Sequence, residues 1–177
     1  MNVKATLMEE TAVRRSLMRI AHEIIERNKG AKDVCILGIR SRGAELGKII
    51  ALNIGTIEGV SVPFAELDIR HYRDDLEKGS GPVLDKTSLP FSIIGKKVIL
   101  VDDVLFTGRT VRAAIEAVFS LGRPDCIQLA ILIDRGHREL PLRPDYIGKS
   151  IPTRRSERVR VSIPPYDDEI SVKLLDE

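Results

Sequence analysis

Val98-Ile99-Leu100-Val101-Asp102-Asp103-Val104-Leu105-Phe106-Thr107-Gly108-Arg109-Thr110 is the stretch on which the reading of this chain turns. A short apolar run of strand length meets two adjacent carboxylates, then a small polar loop, then the helix-like pattern Thr110 to Leu121. In an open α/β sheet, ligands bind beyond the carboxyl ends of the strands, and the acidic pair falls at such an edge. Thr107, Gly108, Arg109 and Thr110 offer backbone N–H groups, hydroxyls and a helix N-terminus to a phosphate, and Gly108 permits close approach. Asp102 and Asp103 beside that cradle make chemical sense if they grip ribose hydroxyls, with magnesium balancing the charge. A phosphorylated sugar satisfies both halves. The plainer alternative, an acidic strand end followed by a Thr helix cap, is common in α/β proteins. The complete order of four apolar, two acidic and Thr-Gly-x-Thr residues weighs against it.

Working outward, strands and helices alternate. Thr11 to Asn28 has helical spacing through Val13, Leu17, Ile20, Ala21 and Ile24 and stops at Lys29-Gly30. Val34 to Ile39 reads as a buried strand, Arg40-Ser41-Arg42-Gly43 as a basic loop, and Ala44 to Asn53 as a helix. Further strands are expected over Val60 to Leu67, Lys97 to Val101 and Ile127 to Ile133. The polar, breaker-rich stretch from Arg73 to Pro82 reads as a mobile loop, about 73–90. This alternation implies an α/β fold with a mostly parallel central sheet flanked by helices. Pro141, Pro144, Pro152, Pro164 and Pro165 break the remainder, about 135–177, into a small hood subdomain.

A chain of 177 residues, 43% hydrophobic and 31% charged, suits one soluble domain, 1–177, with a real core. No apolar run is long enough to span a bilayer, and Glu9 and Glu10 interrupt any secretory-signal pattern, so a cytoplasmic protein is expected. Cys35 and Cys126 lie in apolar runs without a second Cys or His at metal-ligand spacing, and both are expected to be buried structural thiols. Gly43-Ala44-Glu45-Leu46-Gly47-Lys48 lacks the gap and the following Ser or Thr of a P-loop.

The order of residues 98–110 closely resembles the phosphoribosyl pyrophosphate (PRPP) binding motif of type I phosphoribosyltransferases. The resemblance implies the fold of that family and magnesium-dependent displacement of pyrophosphate by a base nitrogen. It also implies that PRPP is held by Asp102, Asp103, Val104, Leu105, Phe106, Thr107, Gly108, Arg109 and Thr110. Arg40, Ser41, Arg42 and Gly43 resemble the family's pyrophosphate loop, and Asp68 to Asp75 resembles the strand end that leads into its flexible catalytic loop, where Tyr72 and Arg73 would close over the substrate. Asp102, Asp103, Arg40 and Arg73 then become the catalytic candidates, with magnesium held mainly through PRPP. No covalent nucleophile is required. His71 and His137 are weaker candidates for proton transfer, since a histidine in a polar loop usually serves the surface.

From Arg14 to Pro152 the chain also resembles the bifunctional pyrimidine-operon attenuation regulators that are uracil phosphoribosyltransferases. Arg14-Arg15, His22-Glu23, Ile25 to Gly30, Tyr72 to Leu76, Val98 to Arg112 and Asp134 to Pro141 carry that resemblance. It implies synthesis of UMP from uracil and PRPP, binding of pyrimidine-operon leader mRNA when UMP is high, and a homodimer or higher oligomer. It places the base near Asp134, Arg135, His137 and Arg138, and the RNA on His22, Arg27, Arg138, Arg143 and Lys149. Charge is compatible: Arg135 to Arg160 holds eight Arg/Lys against three acids, and Val13 to Lys32 six against two. With 4% aromatic residues and no RNP motif, stacking on an RRM-like sheet is excluded. A salvage enzyme for another base such as hypoxanthine, and a non-catalytic nucleotide sensor, remain the alternative readings.

Overall fold

A computed structural model describes residues 2–73 and 88–176. The loop expected at about 73–90 lies almost wholly outside the described residues.

Among the described residues, eight strands and three α-helices follow one another as β1 (Asn2–Glu9), α1 (Glu10–Asn28), β2 (Val34–Ile39), α2 (Arg42–Glu58), β3 (Phe64–Leu67), β4 (Lys97–Leu105), α3 (Arg109–Leu121), β5 (Cys126–Asp134), β6 (Tyr146–Ser150), β7 (Glu157–Ser162) and β8 (Ser171–Asp176). A 3-10 turn, Arg70–Tyr72, follows β3. β3-β2-β4-β5-β6 form one sheet, parallel throughout. Side-chain alternation gives it two apolar faces. Ile99 and Val101 of β4 and Ala130 and Leu132 of β5 pack with α1 and α2 through Leu17, Ile24, Leu46 and Ile50. Val98, Leu100, Leu129 and Ile131 face the other way, onto Val111, Ala114 and Val118 of α3.

The helix expected at Thr11 to Asn28 ends in a left-handed Lys29, whose N–H and that of Gly30 return to Glu26 O and Ile25 O. The second helix is longer than the apolar pattern indicated and closes on left-handed Gly59. That cap shortens the strand expected at Val60 to Leu67, which begins only at Phe64. β4 continues through the acidic pair to Leu105, because β5 keeps pairing with it up to Leu105↔Asp134.

Two findings depart from expectation. β6, from within the stretch read as hood, completes the central sheet, and the backbone of Gly148 lies so close to β5 that a Cβ would stand 2.4 Å from Leu132 O. Residues 2–9, unassigned from sequence, form an edge strand of a small antiparallel sheet, β1-β8-β7. Cys35 is buried, whereas Cys126, at the start of β5, is only partly so. Among the described residues no helix is long and apolar enough to cross a membrane.

Candidate active site

The sheet order places the site. After β2 the chain crosses on one face to β3, and after β4 it crosses on the other face to β5, so the loops following the adjacent β2 and β4 diverge. A crevice opens at such a switch point. β2 and β4 share rungs only up to Gly38↔Val101. Asp102 and Asp103 sit immediately past the last shared rung and therefore border the crevice.

Opposite them stands the loop 40–43, whose Arg40–Ser41 peptide is cis. Gly43 makes this juxtaposition possible. A Cβ there would meet Val101 O at 2.7 Å and Asp102 Cα at 3.0 Å. The resulting cleft, about 520 Å³, is lined by Arg40, Ser41, Arg42, Asp68, Arg70, Arg73, Asp102, Asp103, Val104 and Thr110 among others. Cations on one wall thus face carboxylates on the other.

Asp102 is 6% exposed. Its Oδ1 accepts the Asp103 N–H at 2.9 Å, and Asp103 Oδ1 accepts the Val104 N–H at 2.8 Å. Burial pushes the Asp102 carboxyl well above the usual carboxylate range, and the adjacent Asp103 charge adds to this. Burial raises Asp103 as well, against the opposing pull of its hydrogen bonds to Asp102 and Val104 and of nearby Arg42. The pair therefore resists full ionisation, and a cation or sugar hydroxyls would favour the charged form.

Asp68 and Arg70, which the sequence placed at the strand end leading into the catalytic loop without giving them a ligand role, also line this cleft. Arg70 Nε and Nη2 reach Asp68 Oδ2 at 2.9 and 2.5 Å, holding Asp68 below the ordinary carboxylate range. Arg40 Nη1 lies 3.6 Å from the same carboxylate, and its side chain is 55% exposed. Their position just beyond β3 was the available signal, under the same strand-end rule that selected Asp102.

Several expected site residues point elsewhere. Tyr72 does not line the cleft, because its hydroxyl donates to Ser120 Oγ at 2.6 Å and its ring packs against the α3 core. Arg42 lines the cleft, but its guanidinium meets Asp167 at two points. Left-handed Gly108 begins α3, while the Arg109 side chain turns to Glu139 Oε2 at 3.0 Å. Leu105 is buried, and its carbonyl accepts the Arg135 N–H. The Thr107 hydroxyl accepts the Arg109 N–H at 3.4 Å, and the Phe106 ring lies under the Arg135 guanidinium at 4.0 Å.

The four residues expected at the base lie together but are occupied by the fold. Asp134 accepts from Gly136 N and Arg138 Nη2. Buried Arg135 donates to Thr153 Oγ1 and to the carbonyls of Arg154 and Glu157, and burial lowers its pKa. His137 Nε2 lies 2.6 Å from Thr153 O. Arg138 also reaches Leu142 O and Phe106 O.

Of the other residues expected at RNA, His22, Arg27, Arg143 and Lys149 are exposed. Arg19 donates to the Ile147 and Gly148 carbonyls, docking α1 along β6 and covering a sheet edge. Arg27 meets Asp145 at 2.6 Å, which brings it beside the segment carrying Arg143.

A mononucleotide-sized cleft at the switch point, with an acidic strand end, a helix N-terminus and an arginine loop, defines a phosphoribosyltransferase. A sequence model of the phosphoribosyl transferase domain matches residues 6–168. The fold is similar to a crystal structure of the Trypanosoma cruzi hypoxanthine phosphoribosyltransferase, with a TM-score of 0.74 at 18% identity, covering 98% of this chain and 97% of that one. A Staphylococcus aureus hypoxanthine phosphoribosyltransferase superposes with a TM-score of 0.71 at 20% identity over 97% and 92% of the two chains. Sequence similarity is far higher to proteins named bifunctional protein PyrR. The protein of Brevibacillus brevis is 55% identical over 97% of this chain and 98% of its own, and that of Deinococcus radiodurans 52% over 98% and 95%. The chain belongs to the PyrR family of phosphoribosyltransferases.

Proposed function

We propose that this protein transfers the phosphoribosyl group of PRPP to uracil, giving UMP and pyrophosphate, and that UMP-bound protein attenuates pyrimidine genes by binding their leader mRNA. The observation that carries the reading is the buried Asp102 and half-buried Asp103 lining one cleft with Arg40 and Arg73, in a chain 55% identical to a bifunctional PyrR over 97% of its length.

In the reaction a uracil ring nitrogen forms a bond to C1′ of PRPP as the bond from C1′ to the pyrophosphate oxygen breaks. The nitrogen's proton leaves to solvent. Positive charge grows on the sugar ring and negative charge on the departing group, so electrostatic positioning dominates. Asp102 and Asp103 grip the ribose hydroxyls and face the developing sugar cation. The N–H groups of residues 107–110 hold the 5′-phosphate, and Arg40 and Arg73 receive pyrophosphate. Two adjacent carboxylates, once ionised, would be balanced by a hard cation that draws its remaining ligands from substrate and water. When bound there through PRPP, magnesium would supply neutralisation of the leaving group's charge, with Asp102 and Asp103 beside it.

RNA binding uses Arg27, Arg143 and Lys149, with His22 on the same helix. Cationic side chains there neutralise phosphates and make affinity salt-dependent. The protein works as one domain in the cytoplasm, as a homodimer or higher oligomer. Two measurements test the reading: pyrophosphate release with uracil or hypoxanthine, and titration of a pyrimidine-gene leader transcript with and without UMP. Release with uracil and UMP-tightened RNA binding are expected. Turnover with hypoxanthine alone and no RNA affinity would leave a salvage enzyme, and RNA binding without release would leave a sensor.

A further inference from the structure

The phosphate loop and the segment leading to the RNA face are joined along their lengths. Phe106 O accepts Arg138 Nη1 at 3.0 Å, and Thr107 O accepts the N–H groups of Glu139 and Leu140 at 2.9 and 3.3 Å. Arg109 Nε donates to Glu139 Oε2 at 3.0 Å. At Gly108, a Cβ would stand 3.4 Å from Leu140 Cβ and 3.3 Å from Leu142 Cδ1, so both side chains rest on the glycine of the loop. Consecutive left-handed residues, Gly136 at φ 78° and His137 at φ 63°, turn the chain back after β5 to make this pairing.

The far end of the segment is anchored to the RNA face. Arg143 directly follows Leu142, and Asp145 binds both the Leu129 N–H at 2.8 Å and Arg27 at 2.6 Å.

We infer that residues 138–143 couple the phosphate loop to the RNA surface, so that a nucleotide phosphate bound at residues 107–110 orders Arg143 and Arg27 for RNA. This rests on the proposed nucleotide-responsive RNA binding and supplies its route. A phosphate that fixes residues 106–110 restricts the backbone hydrogen-bonded to them. RNA binding to an already ordered Arg143 then costs less conformational entropy. Arg138 acts as a positioning residue here, through Phe106, Asp134 and Leu142. Reciprocity requires RNA to tighten UMP by the same factor that UMP tightens RNA.

The test titrates a pyrimidine-gene leader transcript against the full chain, with and without saturating UMP, for wild type, Arg138→Ala and Leu142→Ala, with a melting curve for each. In the wild type, UMP should tighten binding by about 5–150-fold, the usual span of such couplings, and both variants should reduce that factor to within about 2-fold. If Arg138→Ala weakens RNA equally with and without UMP, leaving the factor intact, Arg138 is only an RNA contact and the coupling fails. Leu142→Ala, which removes an apolar side chain resting on Gly108 and no charge that RNA could use, decides the question should Arg138→Ala not fold. A wild type whose RNA affinity ignores UMP would overturn the nucleotide-sensing reading together with this inference. An intact factor in the variants overturns the inference alone.

Discussion

Arg42 and Asp167 form a two-point ion pair, Nε to Oδ2 at 3.0 Å and Nη2 to Oδ1 at 3.1 Å, that ties the loop after β2 to the segment before β8. Burial works against the Asp167 charge, but hydrogen bonds from Arg42, the Ile163 N–H and Arg160 outweigh it and hold the pKa at about 2. Because the folded value lies below the unfolded one, the stabilisation is complete above the unfolded carboxylate range and is lost as pH falls through about 2. Asp167→Asn should cost about 1.5–3 kcal/mol at neutral pH, the scale of hydrogen bonds to charged groups. Its stability should also fall less steeply than wild type's at acid pH. Urea melts of both proteins across that range check this, and parallel acid limbs would contradict it.

Asp102 has the opposite sign. Its folded pKa is raised, chiefly by burial and then by Asp103, so ionising it at neutral pH destabilises the fold. Asp102→Asn should raise the melting temperature of the ligand-free protein at pH 7, by about 2–4 °C for each kcal/mol relieved. The gain should disappear below the unfolded carboxylate pKa, where both states are protonated. A melting temperature unchanged at pH 7 would count against a strained acidic pair.

Asp103→Asn should preserve the fold and reduce turnover by about 10²-fold, the scale for removing one preorganised charge-stabilising group. Steady-state kinetics with uracil, PRPP and magnesium provide the measurement, and a chelator should stop the wild type. Unaltered kcat would remove Asp103 from the chemistry.

Gly43→Ala and Gly148→Ala separate site from scaffold. The first forces a methyl to within 2.7 Å of Val101 O and should push the arginine loop off β4, raising KM for PRPP. The second strains β6 against Leu132 O at 2.4 Å and should lower stability by about 1–3 kcal/mol, as overpacking does. Equal effects of the two on KM would contradict the assignment of loop 40–43 to the substrate.

Arg143→Ala should weaken leader-RNA binding across all sequences and reduce the salt slope by about 1, the signature of one lost phosphate contact. Affinity measured between 50 and 200 mM salt, a span over which phosphate contacts register strongly, tests this. A slope equal to the wild type's would take Arg143 off the RNA face.

The central sheet was legible because its strands are buried on both faces and so read as unbroken apolar runs, as from Val98 to Val101. The acidic pair and phosphate loop were legible because strand, carboxylates and helix start are contiguous in the chain. Sequence reasoning missed what depends on distant partners. Residues 2–9 carry a strand whose apolar alternation is slight, and it exists through pairing with β8. Arg42, Arg135 and Arg138 resemble free cationic ligands in sequence, yet their hydrogen bonds go to Asp167, to the Arg154 and Glu157 carbonyls, and to Phe106 O. Tyr72 turned from the cleft because Ser120, 48 positions away, offers its hydroxyl a partner. Asp68 and Arg70 required the sheet order before their place at the crevice became visible.

The pairing of Asn2 with Asp176 has a consequence for how the molecule is made. On a ribosome β1 emerges before β8 exists, and it waits through more than 160 residues of synthesis for that neighbour. Arg158 and Arg160, beside Asp103 on the strand that borders β8, reach their final setting only when that late segment arrives. Nascent chains cut short before residue 171 would carry the acidic strand end and the phosphate loop without the antiparallel wall beside them.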